Sequence, residues 1–148
     1  MNLTSGDDRN VKEAVPFFSV SDIEASVRYY VDGLGFEIVH RWIDGGRLRW
    51  CRLQLGGAAL MLQQFRTEGP DAWVPAETLG AGIAIYFICD NALAIHRVVT
   101  ARGIEVDEPF VGNAMWVVGM RDPDGYQLFF ESPTDVPEET VLSAWAGA

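Results

Sequence analysis

The chain has little of what several large functional classes require. Basic residues are scarce: 11 Lys and Arg stand against 21 Asp and Glu, for a formal charge of −10. That charge argues against nucleic-acid phosphate as a partner, and the basic residues form no run. Cysteine is nearly absent. Cys51 and Cys89 each sit in an apolar run without the spacing of a disulfide framework or a metal knuckle, and both read as buried free thiols. Only two histidines occur, His40 on a predicted strand and His96 on a predicted helix, and both read as surface or boundary residues. No apolar stretch approaches the roughly 20 residues that span a bilayer, so no membrane partner is expected. Met1 to Glu13 is polar, with Asp7, Asp8 and Arg9 where an export signal would be apolar. A cytoplasmic protein is the expectation. The acidic charge suits solubility, and equally a cationic ligand.

What is present is enough apolar sequence for one core, with 49% of 148 residues hydrophobic. That content is arranged twice over. Asp22 to Ile38 runs in parallel with Asp90 to Val106, each with an amphipathic helix, a glycine stop and then alternating residues. Asp22 to Asp90 and Gly35 to Gly103 share one offset (90 − 22 = 68; 103 − 35 = 68), so the register is expected to hold without a gap. Such a unit is too long for a solenoid repeat and too short for a domain of its own. Two half-domains sharing one α+β fold follow.

Val15 to Val20 is the first predicted strand. Ser21 and Glu24 have the spacing of a capping box, and Ile23, Val27, Tyr30, Val31 and Leu34 follow at helical spacing until Gly33 and Gly35. Strands are predicted over Phe36 to Trp42, Leu48 to Leu55 and Ala58 to Gln64. These make module one, about 13–65. Residues 66–81, with Gly69, Pro70, Pro75 and Gly80, lack periodicity and form the linker. Module two, about 82–132, takes a strand at Ile83 to Cys89 and a helix from Asn91 to Arg102. Strands follow near Glu105 to Phe110, Met115 to Met120 and Tyr126 to Glu131. Asp122-Pro123-Asp124-Gly125 is a turn signal between the last two. The tail, 133–148, reads as one helix capped by Thr134 or Asp135, with Pro137 in its first turn and Trp145 as its anchor.

Taken together, Val15-Pro16-Phe17-Phe18-Ser19-Val20-Ser21-Asp22, Tyr29-Tyr30, Gly33-Leu34-Gly35-Phe36 and Arg121-Asp122-Pro123-Asp124-Gly125 resemble the vicinal-oxygen-chelate superfamily. This is the group of glyoxalases, bleomycin-resistance proteins and dioxygenases. The resemblance spans roughly residues 13–132 and implies a single domain of two paired βαβββ modules, whose curved mixed sheets form around a cleft. It specifies fold better than function. In metal-dependent members the first and fourth strands of each module supply His and Glu ligands. The matching positions here are Val15, Met61, Ala84 and Phe129, none of which coordinates a metal. Gln63 and Glu131 share those strand faces but make a weak pair of donors. No metal or other cofactor is therefore expected, and no residue is assigned to catalysis.

Among the branches the chain is most similar to the metal-free bleomycin-resistance-like group. Ala14-Val15-Pro16, Val74-Pro75-Ala76-Glu77-Thr78-Leu79 and Arg121-Asp122-Pro123 carry that similarity. It implies a homodimer with clefts shared between chains, which sequesters an antibiotic or similar organic molecule without changing a bond. The alternatives are a glyoxalase- or dioxygenase-like metal-dependent enzyme, or a metal-independent enzyme of the same fold.

Strand alternation assigns the lining. The helix-facing set is Cys51, Leu53, Leu55, Leu60, Leu62, Ile83, Ile85, Phe87, Leu128 and Phe130. The opposite faces offer Phe17, Trp50, Arg52, Met61 and Gln63 from module one, and Tyr86, Phe129 and Glu131 from module two. Trp116, also on a strand, joins them as a stacking candidate. This mixture of aromatic walls and isolated polar groups suits a flat, amphipathic ligand. Arg52 and Glu131 either orient that ligand or pair with each other. Trp73, in the linker, borders the cleft or pins the loop.

Overall fold

The computed structural model describes residues 10–145, so readings that rest on Met1 to Arg9 or on residues 146–148 lie outside the described residues. The chain forms two four-stranded mixed sheets, each backed by one helix. Module one comprises β1 (Phe17–Val20), α1 (Ile23–Val27, continued by a π-helical segment Arg28–Gly33), β2 (Glu37–Asp44), β3 (Arg47–Leu55) and β4 (Ala58–Gln64). Module two comprises β5 (Ala84–Ile88), α2 (Ala92–Ala101), β6 (Phe110–Gly112), β7 (Met115–Arg121) and β8 (Gln127–Pro133). The sheet orders are β1-β4-β3-β2 and β5-β8-β7-β6. In both, the first strand lies parallel to the fourth and the remaining pairs are antiparallel. The α+β pairing of βαβββ modules is thus as the repeat implied. No helix among the described residues is long and apolar enough to cross a membrane.

Where the two copies differ, local chemistry gives the reason. Asp22, not Ser21, caps α1: its carboxylate accepts from the amides of Glu24 and Ala25. Ser21 instead donates to Asp124 of the other module. Asn91 caps α2, so the caps lie 69 residues apart (91 − 22 = 69), whereas the left-handed glycine stops Gly35 and Gly103 lie 68 apart. The ungapped register is therefore corrected by one residue. The extra residue in module one is taken up by the π segment, where the Leu34 amide reaches back five residues to the Tyr29 carbonyl, 3.0 Å away.

Two further predictions fail at edges. Of the strand expected near Glu105 to Phe110 only Phe110 is in a strand, β6, which runs on to Gly112, and Ile83 stays exposed ahead of β5 rather than entering the core. Among the described residues the tail is not one helix either. β8 runs through Pro133, and only Leu142–Ala144 forms a 3-10 turn. The Glu138 carboxylate accepts from the amides of Asn113 and Ala114, strapping the tail to the β6–β7 turn. That side-chain bond, with Pro137 beside it, competes with helix formation over the same residues.

The core lies between the modules. Phe18, Val20, Ile23, Tyr30, Phe36, Cys51, Leu53, Leu60 and Leu62 from module one meet Phe87, Val99, Val118, Leu128 and Phe130 from module two. Gly33 allows the closest approach: a β-carbon there would lie 2.5 Å from the Ile104 side chain. The Arg102 guanidinium donates to the Gly33 carbonyl at 2.9 Å.

A polar clasp holds one end of this seam. Asp122 is buried, yet fully served: Tyr30 Oη donates to its Oδ2 at 2.8 Å, and the amides of Asp124 and Tyr126 donate to its Oδ1, both at 2.9 Å. The Tyr126 ring stacks on Phe18 with centroids 4.0 Å apart, and its hydroxyl donates to the Ser19 carbonyl at 2.8 Å. Burial pushes the Asp122 carboxyl above the usual aspartate range, against the opposing pull of its three donors. Burial and the neighbouring Asp122 charge push Tyr30 far upward, so the phenol keeps its proton and remains the donor.

Tyr30→Phe removes one donor from a buried carboxylate and is expected to cost about 1–3 kcal/mol of stability, read by urea unfolding. Because the native carboxyl of Asp122 binds its proton more tightly than the unfolded chain does, its contribution has a definite sign. It is fully present below about pH 4 and is lost as pH rises through the raised native value. Asp122→Asn should abolish that segment of the urea-midpoint profile. A profile identical to that of the parent would show that Asp122 does not titrate in this way.

Candidate functional site

Each sheet has a helix-free face, and the registers settle which side chains share it. In module one Phe17 pairs with Met61, Arg52 with Met61 and Trp50 with Gln63, so these five predicted residues form one contiguous patch. In module two Tyr86 pairs with Phe129, and Ile88 with Glu131. The Tyr86 and Phe129 rings stack at 4.8 Å with their planes 15° apart. Phe129 lies over Gly119, where a β-carbon would fall 2.9 Å from the ring, so any side chain at 119 would displace the aromatic pair.

Trp116 must be reassigned. It pairs with Ser132 on the helix side of the sheet, is 4% exposed, and packs against Trp145 with centroids 5.3 Å apart. Strand membership alone had suggested it as a ligand residue. The register puts it out of phase with Phe129 and Glu131, and it is a core tryptophan. Arg52 and Glu131 do not pair either. Arg52 is bonded to Glu13 at 2.7 Å, on the same module.

Among the described residues, none of the five principal cavities is lined from both patches at once. The one that meets the module-one patch has a volume of about 290 Å³. Its lining combines Ser19 and Gln63 with the aromatic rings of Trp42 and Trp73 and the charged Arg49 and Asp71. Trp42 pairs with Trp50 across β2 and β3. Trp42 and Trp73 are 48% and 45% exposed, so both rings offer free surface.

The linker is held in place to build this wall. Arg66 donates to the Asp44 carboxylate at 3.1 Å, the Trp73 amide donates to the Arg66 carbonyl at 2.7 Å, and the Phe65 ring meets Trp73 edge to face at 5.3 Å. Trp42 could have been found from its place opposite Trp50 in the strand alternation. Trp73, Arg49 and Asp71 had no periodic signal, because they reach the cavity through the linker fold and a strand end.

The donor chemistry for a metal is poor. The four positions that the resemblance aligned with metal ligands, Val15, Met61, Ala84 and Phe129, all carry apolar side chains. No group of three or more His, Cys, Asp or Glu side chains converges among the described residues. His40 is exposed on β2 opposite Arg52, while His96 lies on α2. The residues present do not fit a divalent-ion site. Burial raises the Cys51 thiol to about 11 and also raises that of Cys89, so neither is poised as a thiolate nucleophile.

Against known proteins, the family profile described as Glyoxalase/Bleomycin resistance protein/Dioxygenase superfamily matches residues 14–130. Comparison with curated protein sequences finds no match. Among solved structures the chain is similar to TnmS3, an antibiotic-binding protein from Streptomyces sp. CB03234, at 23% identity and a TM-score of 0.61, over 83% of this chain and 98% of that one. It is also similar to TioX from Micromonospora sp. ML1, with 18% identity and a TM-score of 0.61 over 85% of this chain and 99% of that one. A glyoxylase/bleomycin resistance protein/dioxygenase domain from Frankia sp. EAN1pec gives 17% identity and a TM-score of 0.64, over 86% and 95%. At these identities the likeness is one of fold.

The two tryptophan environments make opposite demands on stability. Trp116→Ala should cost about 3–5 kcal/mol and Trp42→Ala less than about 1 kcal/mol, compared by urea unfolding. The reverse order would overturn the assignment of Trp116 to the core and Trp42 to the cavity.

Proposed function

The chain belongs to the glyoxalase/bleomycin resistance protein/dioxygenase superfamily, and from that premise we propose that it binds a small organic molecule, of the antibiotic type, and sequesters it without chemistry. The observation that carries this reading is the pair of half-exposed tryptophans, Trp42 and Trp73, walling one cavity that also presents Arg49, Gln63 and Asp71. Aromatic walls hold a planar ring, and a few fixed polar groups orient its substituents. Arg49 sets a positive charge beside Asp71 in the lining while Arg66 is paired with Asp44, which favours a ligand without strong charge of its own. The ligand is planar and amphipathic rather than strongly cationic.

The cavity is small for an antibiotic. Its volume of about 290 Å³ is at the lower limit of ligand pockets, and the adjoining patch of Phe17, Trp50, Arg52 and Met61 extends it along the sheet. We propose that the second wall comes from another copy of the chain, as a homodimer whose clefts are shared. The apolar patch of module two, where Tyr86 is 53% exposed and Phe110 is also open, is suited to that role, with Phe129 and Glu131 beside it. This supports a cleft assembled from module one of one chain and module two of the next. The likeness to TnmS3, itself an antibiotic-binding protein, points to the same ligand class.

The test is a tryptophan-fluorescence titration of chelator-treated protein with metal-free bleomycin, alongside a panel of planar antibiotics. Saturable quenching at one ligand per cleft, unchanged by added divalent metal, is expected. Trp42→Ala should weaken the affinity about ten-fold, equivalent to about 1.4 kcal/mol. Turnover of a ligand, or binding that depends on a metal, would overturn sequestration in favour of an enzyme.

A further inference from the structure

The two ends of the module seam should be equivalent, and they are not. The registers Phe17 with Met61 and Tyr86 with Phe129 set the correspondence: β1 matches β5 at an offset of 69 (86 − 17 = 69), and β4 matches β8 at 68 (129 − 61 = 68). Phe18 therefore corresponds to Phe87, Ser19 to Ile88, Ser21 to Asp90, and Tyr126 to Ala58. At one end the Tyr126 ring fills the seam, stacked on Phe18, with its hydroxyl on the Ser19 carbonyl. At the other end Ala58, behind the Gly56-Gly57 turn, supplies no ring, and an open cavity of about 630 Å³ remains.

The walls of that cavity are apolar: Leu34, Leu55, Ile95 and the edges of Phe87 and Phe130. Ile88 beside them is 65% exposed. The cavity's polar groups include Tyr86 and the Gly56-Gly57 backbone, and the two that the correspondence singles out are acceptors. The Asp90 carboxylate stands where Ser21 stands at the filled end, and the Ile88 carbonyl corresponds to the one that receives the Tyr126 hydroxyl. The Cys89 thiol, also in the wall, already donates to the Glu131 carbonyl.

We propose that this cavity is a second ligand site, which takes a small planar aromatic molecule carrying a hydrogen-bond donor, a phenol or an aromatic amine, in the place that Tyr126 occupies at the opposite end. The ring lies against the Phe87 and Phe130 side of the slot, and its donor faces the acceptor rim. An aromatic acid is disfavoured, because its carboxylate would meet Asp90 and the chain's own negative charge. The site shares no lining residue with the Trp42–Trp73 cavity; Tyr86 lines it and also belongs to the patch proposed as the second wall, so its test reads Cys89, which the proposed function does not use.

Cys89 reports on occupancy, because the other cysteine, Cys51, is fully buried. The full-length protein is alkylated with iodoacetamide at pH 9, and Cys89 is followed by peptide mass spectrometry with p-cresol, the tyrosine side-chain analogue, as the probe. Saturating p-cresol is expected to slow Cys89 alkylation at least five-fold, while benzoate at the same concentration leaves it unchanged. Ala58→Trp, which fills the slot from within, should remove the p-cresol effect. An unchanged rate with p-cresol on the parent protein would overturn the proposal, whether or not the variant folds. Equal protection by benzoate would overturn the donor-seeking chemistry assigned to the rim.

Discussion

The structure depends on the clasp between Tyr30 and Asp122. Each βαβββ module has one sheet face covered by its own helix and no second layer, so neither can complete a core alone. The modules meet along their helix sides, and Asp122 fixes how they meet. Its carboxylate takes one donor from the helix of module one and two from its own turn. A buried carboxylate with three donors tolerates little displacement, because losing any of them leaves charge without compensation. The stacked Phe18 and Tyr126 rings, and the bonds from Ser21 to Asp124, build outward from that point.

The consequence for function lies on the opposite faces. Since the helix sides are spent on joining the modules, the helix-free faces remain open, with Phe17 and Trp42 exposed on one and Tyr86 and Phe110 on the other. That open aromatic surface is what the proposed ligand and second copy of the chain would cover. The linker follows the same logic. Arg66, bonded to Asp44, and Phe65, packed on Trp73, turn an aperiodic segment into a cavity wall.

Duplication also accounts for the asymmetries. One added residue in the first helix is taken up as a π segment and leaves the sheet register intact, with the Ile23 amide held by Gln64 at one end and Gly35 in the left-handed conformation at the other. Divergence at the turns had a larger effect. Asp122 to Tyr126 forms a clasp, whereas Leu55 to Ala58 is a bare turn, so a two-fold arrangement holds at one end of the seam and leaves a slot at the other.

The sequence by itself determined the α+β duplication, the helix stops and, Ile83 and Trp116 apart, which strand residues face the helices, because those follow from short-range periodicity and glycine chemistry. The buried set Cys51, Leu53, Leu60, Leu62, Leu128 and Phe130 was legible from alternation alone. So was the patch of Phe17, Trp50, Arg52, Met61 and Gln63, which the registers bring onto one face. Only the tertiary structure decided that Trp116 packs inside on Trp145, that Arg52 pairs with Glu13, and that the tail is strapped by Glu138 rather than coiled. It also decided that Trp73 joins Trp42 at one cavity. Each of these turns on partners distant in the chain, or on a strand's phase set by its neighbour, and local periodicity carries no record of either.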